Sequence, residues 1–512
     1  MSVNDQTVPE EALSDEQRLH QLGYAQELRR RMSGFSNFAV SFTIISILSG
    51  CLTLYGFGMI TGGPVIITWG WLFVGIMTLF VGLAMAEVCS SYPTAGGLYY
   101  WAAKLAPQKT GPVWSWFTGW FNFLGQVAVT AGIDFGAALF ITAFLNYQFN
   151  FSFVHWHVVL IYAIVLFVHG LVNQFGIRLV ALLNDVSVWW HIFGVLIIVG
   201  VLAFVPAHHQ SAGFVFGHYV NLTGLGLGWW YILPIGLLMA QYTFTGYDAS
   251  AHMTEETHKA ATAGPRGIVM SILVSLIAGW VLLIGVTFAI QNYTNEVGAS
   301  VPPAQIFLDA AGATTGKLLL LIAIGAQLFC GMSSVTANSR MIYAFSRDGA
   351  LPASNFWHRV NKRTRTPTNA IWLAAGGALV LGLPYLWNSA AYFAVTSIAT
   401  IGLYVAYVAP TYLRLRKGEG FQRGPWNLGR WSYVVGWTAV VWVVIIFFLF
   451  MLPQVGPVTL KTFNYASIAV LVVIGFAGIY WLASARKWFT GPKVQGTPEE
   501  LAANERELTT TS

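Results

Sequence analysis

Seven residues inside an apolar run, Tyr242–Asp248 (YTFTGYD), bring two threonines, a glycine and an ionisable aspartate to a depth where lipid is expected. The run, Trp229–Thr257, begins as a stretch fit to cross a bilayer. A charge at bilayer depth costs about 2.5–3.5 kcal/mol even on the gentlest insertion scale, so Asp248 implies a water-filled or protein-lined site. Gly246 among small polar residues marks a point where a helix can open and leave backbone groups to a ligand. The apolar run 37–61 carries a matching segment at Ser46–Gly50 (SILSG). What these residues offer is recognition of a small polar solute, with no bond made or broken. Small residues also permit close helix packing, the plainer reading of either segment alone. Their recurrence five spans apart, in opposite directions through the membrane, is the pattern of a secondary transporter's midplane site.

Such segments need a membrane scaffold, and composition supplies one. Of 512 residues, 56% are hydrophobic and only 9% charged, with mean hydropathy +0.62; a soluble chain carries about 25% charged residues. Twelve apolar stretches are long enough to cross about 30 Å of hydrocarbon. They are 37–61, 65–90, 113–146, 156–175, 180–205 and 229–253, then 265–291, 315–345, 368–387, 391–413, 431–453 and 463–485. The division between the fourth and fifth rests on Asn173–Arg178 (NQFGIR), where a glycine beside polar residues predicts a turn. With both termini cytoplasmic, every one of the 26 basic residues except Lys317 and Lys461 falls inside. The net charge of +6 therefore reads as membrane orientation, not as affinity for nucleic acid. Residues 1–35 form a polar arm ending in Arg29, Arg30 and Arg31, without a cleavable signal pattern, and 486–512 form a polar tail. Both read as solvated. Cys51, Cys89 and Cys330 are scattered in apolar runs, which suits packing better than a disulfide or metal framework.

Three further segments resemble signatures of the amino acid–polyamine–organocation superfamily. They are Glu87–Pro107 (EVCSSYPTAGGLYYWAAKLAP), Phe244–Glu256 (FTGYDASAHMTEE) and Arg340–Pro352 (RMIYAFSRDGALP). Together with SILSGCLTLYGFG in span one they are most similar to the amino acid/choline transporter branch, which includes GABA and choline permeases. The resemblance extends over about residues 30–485. It implies an all-α polytopic membrane protein of 12 transmembrane helices in two inverted five-helix repeats. Spans 1–5 (about 36–206) and 6–10 (about 229–415) form the repeats, helices 1 and 6 are broken, and two peripheral helices follow (about 431–485).

The resemblance also implies how substrate binds. Its carboxylate would meet backbone N–H groups near Ser49, Gly50 and Cys51, beside Ser46; its ammonium would meet carbonyls near Thr243, Phe244 and Thr245, beside Gly246. Helix dipoles give the physical reason, since half-helix N-termini carry partial positive charge and C-termini partial negative charge. Phe244 is a candidate gate, although an aromatic at this spacing more often simply packs. Proton-driven relatives place a basic side chain on span five, where His191 of NDVSVWWHIFG aligns, and histidine exchanges protons near neutral pH. Sodium-coupled relatives use hydroxyls on span eight, where Ser333 and Ser334 stand. The expected activity is proton-coupled uptake of a GABA-like or neutral amino acid across the cell membrane. Sodium is the alternative ion, and choline, ethanolamine or a polyamine the alternative substrate.

Other ionisable residues receive supporting roles. Asp248 is expected to brace the span-six break by pairing with a backbone N–H or hydroxyl. Asp134, in TAGIDFG of span three, has no evident partner; an amine, a proton relay and a packed hydroxyl all suit it. Glu87 and Asp185 lie near cytoplasmic helix ends, where ion pairs with Arg340 or Arg178 are expected, and Glu255 and Glu256 read as part of an inner gate. His208, His209 and His218 lack the compact spacing of a metal site. No GxxxxGK[ST] loop, nucleophile elbow or Cys/His zinc spacing occurs, so neither ATP drive, nor an enzyme, nor a cofactor is expected. A non-transporting receptor or structural subunit of the same fold would have no need of the paired breaks.

Overall fold

The computed structural model describes residues 14–503, except 176, 362, 389, 495 and 498, and leaves out the side chains of Ile177 and Arg178. The extreme termini, with Arg506, and Lys362 lie outside the described residues. Helices dominate, as they must where hydrocarbon forces every backbone group to be satisfied locally. Among the described residues, eleven helices are long and apolar enough to cross a membrane. They match the sequence-derived spans one to five and seven to twelve. Span six fails that length test because it is divided into Trp229–Gly236, Leu238–Thr243 and Ala249–His252. Span one is divided as well, into Gly34–Ile45, Ile47–Thr53 and Tyr55–Ile60. Spans four and five correspond to the helices His155–Phe175 and Ile177–Phe204, and the glycine at the expected turn between them lies outside the described residues. Span eight starts earlier than expected: the helix Pro302–Arg347 contains Gly312 at φ 78°, which sets a short leading segment apart from the span proper.

The packing of the first ten spans survives exchange of spans 1–5 for 6–10. Span two packs on seven, and three on eight. One packs on seven as six does on two; one on five as six on ten; three on ten as eight on five; three on nine as eight on four. Large apolar side chains of spans four, five, eleven and twelve, such as Phe167, Leu196, Val444 and Leu471, face outward, as lipid contact requires.

The expectation of two solvated arms is corrected. Residues Tyr24, Ala25 and Leu28 of the N-terminal arm are buried beneath the bundle. Arg31 and Met32 donate backbone hydrogen bonds to the Glu256 carbonyl, and Asp15 accepts from the amides of Lys259 and Ala260 that open span seven. The tail docks too: Phe489 packs on Trp116 (5.1 Å), and the Lys493 amide donates to Asp348 (3.1 Å). The arm thus marks one side of the bundle. On the far side, Thr61–Gly62 pairs antiparallel with Val220–Asn221.

Candidate substrate and coupling site

Span one breaks at Ser46, whose backbone (φ 38°, ψ 81°) lies in the left-handed region and turns the chain out of one helix into the next. Its carbonyl accepts from the amides of both Ser49 and Gly50 (2.8 Å each). These two amides, expected to be free for a carboxylate, are therefore already engaged with the protein. Span six stops at Thr243 and resumes at Ala249, with Gly246 at φ 92° between. The Thr243 and Thr245 hydroxyls bend back onto the carbonyls of Met239 (2.9 Å) and Tyr242 (2.7 Å). Two tyrosines of span ten hold the opened strand: Tyr404 donates to the Phe244 carbonyl, and Tyr407 accepts from the Gly246 amide (3.3 Å). The carbonyls of Thr243 and Thr245 receive no hydrogen bond from any described residue. The unspent acceptors lie where the amine end was expected, minus that of Phe244.

The breaks touch. A Cβ at Gly50 would stand 2.6 Å from Thr243 Cγ2, and one at Gly246 only 2.1 Å from Ile44 Cγ2. Cys51 is buried in the restarted helix, and Cys330 of span eight donates to the Ile44 carbonyl (3.1 Å). The Phe244 ring packs on Trp71 of span two (4.3 Å between centroids).

His191 reaches the break. Its Nε2 lies 2.8 Å from Ser46 Oγ and its Nδ1 2.7 Å from the Ser187 carbonyl, with the ring fully buried. Because the carbonyl only accepts, Nδ1 carries a proton. In the neutral ring Nε2 then accepts from the Ser46 hydroxyl; a second proton would reverse that hydrogen bond and make Ser46 the acceptor. The span-eight hydroxyls point elsewhere: Ser333 donates to Asn184 of span five, and Ser334 bonds Thr130 of span three (2.8 Å). They do not converge on span one.

Asp248 is braced as expected, and more fully: Tyr407 (2.7 Å) and Gln126 (2.7 Å) donate to it, and His252 Nε2 lies 3.3 Å away. Asp134, without evident partner in the sequence, pairs with His169 of span four (3.1 Å). Gly331 makes room for that pair, since a Cβ there would fall 1.7 Å from Asp134 Oδ1. Sequence reasoning missed His169, His252, Gln126, Tyr404 and Tyr407. Only the two tyrosines left a trace: their spacing of three in YVAYVAP puts both hydroxyls on one helix face.

At the arm side Glu256 pairs with Arg340 (2.9 Å) and Glu255 with Arg347 (3.4 Å), and all four side chains are shielded from solvent. The expected Glu87–Arg340 pair is corrected: Glu87 pairs with Arg414 (3.0 Å), because Arg340 is already held by Glu256. Asp185 accepts from Ser36 (3.3 Å), and its expected partner Arg178 has no described side chain. Behind the Glu256–Arg340 pair lies a cavity of about 210 Å³, lined by Arg29, Met32, Ser36, Ala181 and Asn184. Removing one member of a buried pair strands the other, at a cost of about 3–5 kcal/mol. Arg340→Gln is therefore expected to lower the unfolding temperature and to speed thiol labelling of an Ala181→Cys reporter from the arm side. Unchanged labelling would remove the pair from the closure. Among the described residues no group of three or more His, Cys, Asp or Glu side chains is placed to hold a metal.

Residues 32–476 match the amino acid permease family. The chain is 45% identical over 498 residues to the amino-acid permease BAT1 of Arabidopsis thaliana, covering 94% of this chain and 96% of that one. A homolog of BAT1 from Oryza sativa is also 45% identical, over 93% of this chain and 95% of that one. The GABA-specific permease of Saccharomyces cerevisiae is 34% identical, over 94% of this chain and 86% of that one. These relatives are named as permeases, not enzymes. With eleven helices long and apolar enough to cross a membrane among the described residues, and a divided span six, the chain belongs to the amino acid permease family, as a multi-pass membrane protein of amino acid transport.

Proposed function

We propose that this protein takes up a GABA-like or neutral amino acid across the cell membrane by alternating access, driven by protons. The observation that carries this reading is the direct apposition of two helix breaks of opposite polarity, Ser46–Gly50 and Thr243–Gly246, with His191 hydrogen-bonded to the first. The restarted helix of span one directs positive dipole ends towards the contact, and the stopped helix of span six directs free carbonyls. A carboxylate fits the first and an ammonium the second. The touching breaks leave the site closed, and freeing the Ser49 and Gly50 amides from the Ser46 carbonyl requires the Ser46 turn itself to change, since both bonds lie within span one. Proton exchange at His191 reverses the Ser46 hydrogen bond and so acts on the break itself. Spans 1–5 and 6–10 are the two inverted repeats, supported by the exchange pattern of their packing, and spans eleven and twelve are peripheral. The arm side is cytoplasmic by the distribution of basic residues. Its buried ion pairs form the inner gate.

Two observations favour an amino acid over choline or a polyamine. Asp248 is spent on Tyr407, Gln126 and His252, so the carboxylate beside the span-six break is not left for a bare cation. One relative, moreover, is named a GABA-specific permease. Competition against radiolabelled GABA uptake into proteoliposomes tests the choice. GABA and neutral amino acids are expected to compete in the micromolar to millimolar range, with choline and putrescine ineffective at the same concentrations. Inhibition by choline or putrescine alone would overturn the amino acid assignment.

A further inference from the structure

Glu296 is fully buried on the far side of the bundle, in the short helix Tyr293–Val297 between spans seven and eight. This helix is clipped to span one: Tyr293 donates to the Met59 carbonyl (2.5 Å), and Pro302 of the adjoining segment fits over Gly56, where a Cβ would stand 2.8 Å from its Cγ. Glu296 Oε1 accepts from the Gln291 amide (3.0 Å), whereas Oε2 is buried without a hydrogen-bond partner among the described residues. The titratable groups that face Glu296 are Asp309 from the following helix, Tyr55 from span one and Tyr293 from its own. His218 stacks on Phe214 (4.7 Å between centroids) and meets the Tyr293 ring edge-on (6.2 Å). No described Lys, Arg or His lies within ion-pairing distance of Glu296.

A buried carboxylate with a bare oxygen and a like-charged neighbour is costly; a carboxylic acid with its proton on that oxygen is not. We propose that Glu296 is a proton-binding site on the far-side lid, occupied when the lid is seated on span one and vacated when it lifts. The proton comes from the far-side solution and returns there; no covalent bond changes. The site is separate from His191, and it rests on the reading that the bundle opens to the far side.

Burial outweighs backbone hydrogen bonding and, with a smaller contribution from the charge of Asp309, raises the Glu296 pKa to about 7, from 4.5 when exposed. A raised carboxyl pKa means that the seated lid holds the proton more tightly than the lifted one. Seating is therefore fully favoured below pH 4.5 and progressively lost as pH rises towards 7.

The test uses the full chain in liposomes, its three cysteines replaced by alanine, with Met59→Cys as reporter and a membrane-impermeant maleimide on the far side. The labelling rate is expressed relative to Glu296→Gln at the same pH, which cancels the titration of the thiol. This ratio is expected to be near one at pH 4 and to rise at least tenfold by pH 8. Asp309→Asn is expected to move the midpoint to lower pH. A flat ratio, an unmoved midpoint or no labelling at any pH would overturn the proposal. The same ratio is expected in a His191→Ala background, so failure of proton coupling and failure of the lid site are told apart.

Discussion

His191→Ala is expected to abolish the response of uptake to a pH gradient while exchange down a concentration gradient continues. The imidazole is a titratable side chain joined directly to the span-one break, through Ser46 Oγ at 2.8 Å. Its removal leaves a hydroxyl that no longer reports protonation to the backbone. Truncation also leaves the buried Ser46 hydroxyl short of a partner, a cost of about 1–3 kcal/mol that by itself lowers protein yield. His191→Gln separates the two effects, because an amide restores a hydrogen bond but carries no exchangeable charge near neutral pH. Both variants are expected to lose at least tenfold of the gradient stimulation, and the glutamine variant to recover most of the stability. The measurement is initial uptake into proteoliposomes with and without an inward proton gradient. Uptake that still follows the gradient in both variants would remove His191 from coupling. Stimulation by sodium instead would be a surprise on this geometry, since Ser333 and Ser334 are turned towards spans five and three.

Gly246→Ala is expected to reduce transport at least a hundredfold without destroying the fold. Two costs coincide there. The backbone is at φ 92°, a region expensive for any residue with a Cβ, by about 1–3 kcal/mol. The new methyl would also stand 2.1 Å from Ile44 Cγ2, so spans one and six must move apart at their breaks, for a further 1–3 kcal/mol or so of overpacking. A site built from the contact of those two segments loses its geometry before the twelve-span scaffold loses its packing. Gly376→Ala in span nine is the control: nothing lies within 4 Å of the added carbon, and both uptake and stability are expected to be unchanged. Equal activity in the two alanine variants would mean that the breaks need not touch for transport.

The spans were legible because hydrocarbon imposes length and hydropathy on each separately. The breaks were legible because Gly246 and the serines around Ser46 are out of place in lipid. Partner choice was not. Nothing local tells Asp134 that His169 lies opposite across spans three and four, or gives Arg340 to Glu256 in preference to Glu87. Those pairs are set by how helices far apart in sequence stack. The arm misled for a related reason. Its polar composition describes a solvated segment, yet Tyr24 and Leu28 find a concave surface that only the assembled bundle creates, and Asp348 accepts from the Tyr24 and Tyr99 hydroxyls. Likewise, the amides of Ser49 and Gly50 were expected free because a helix restarts there; the Ser46 carbonyl, turned inward by its left-handed backbone, takes both.

Concentrative uptake of radiolabelled GABA and neutral amino acids by the purified chain, in liposomes with an imposed inward proton gradient, bears most directly on the central claim. Saturable accumulation above the external concentration is expected for at least one of these substrates, collapsing when a protonophore dissipates the gradient. No saturable uptake of any amino acid, or accumulation indifferent to the protonophore, would contradict it.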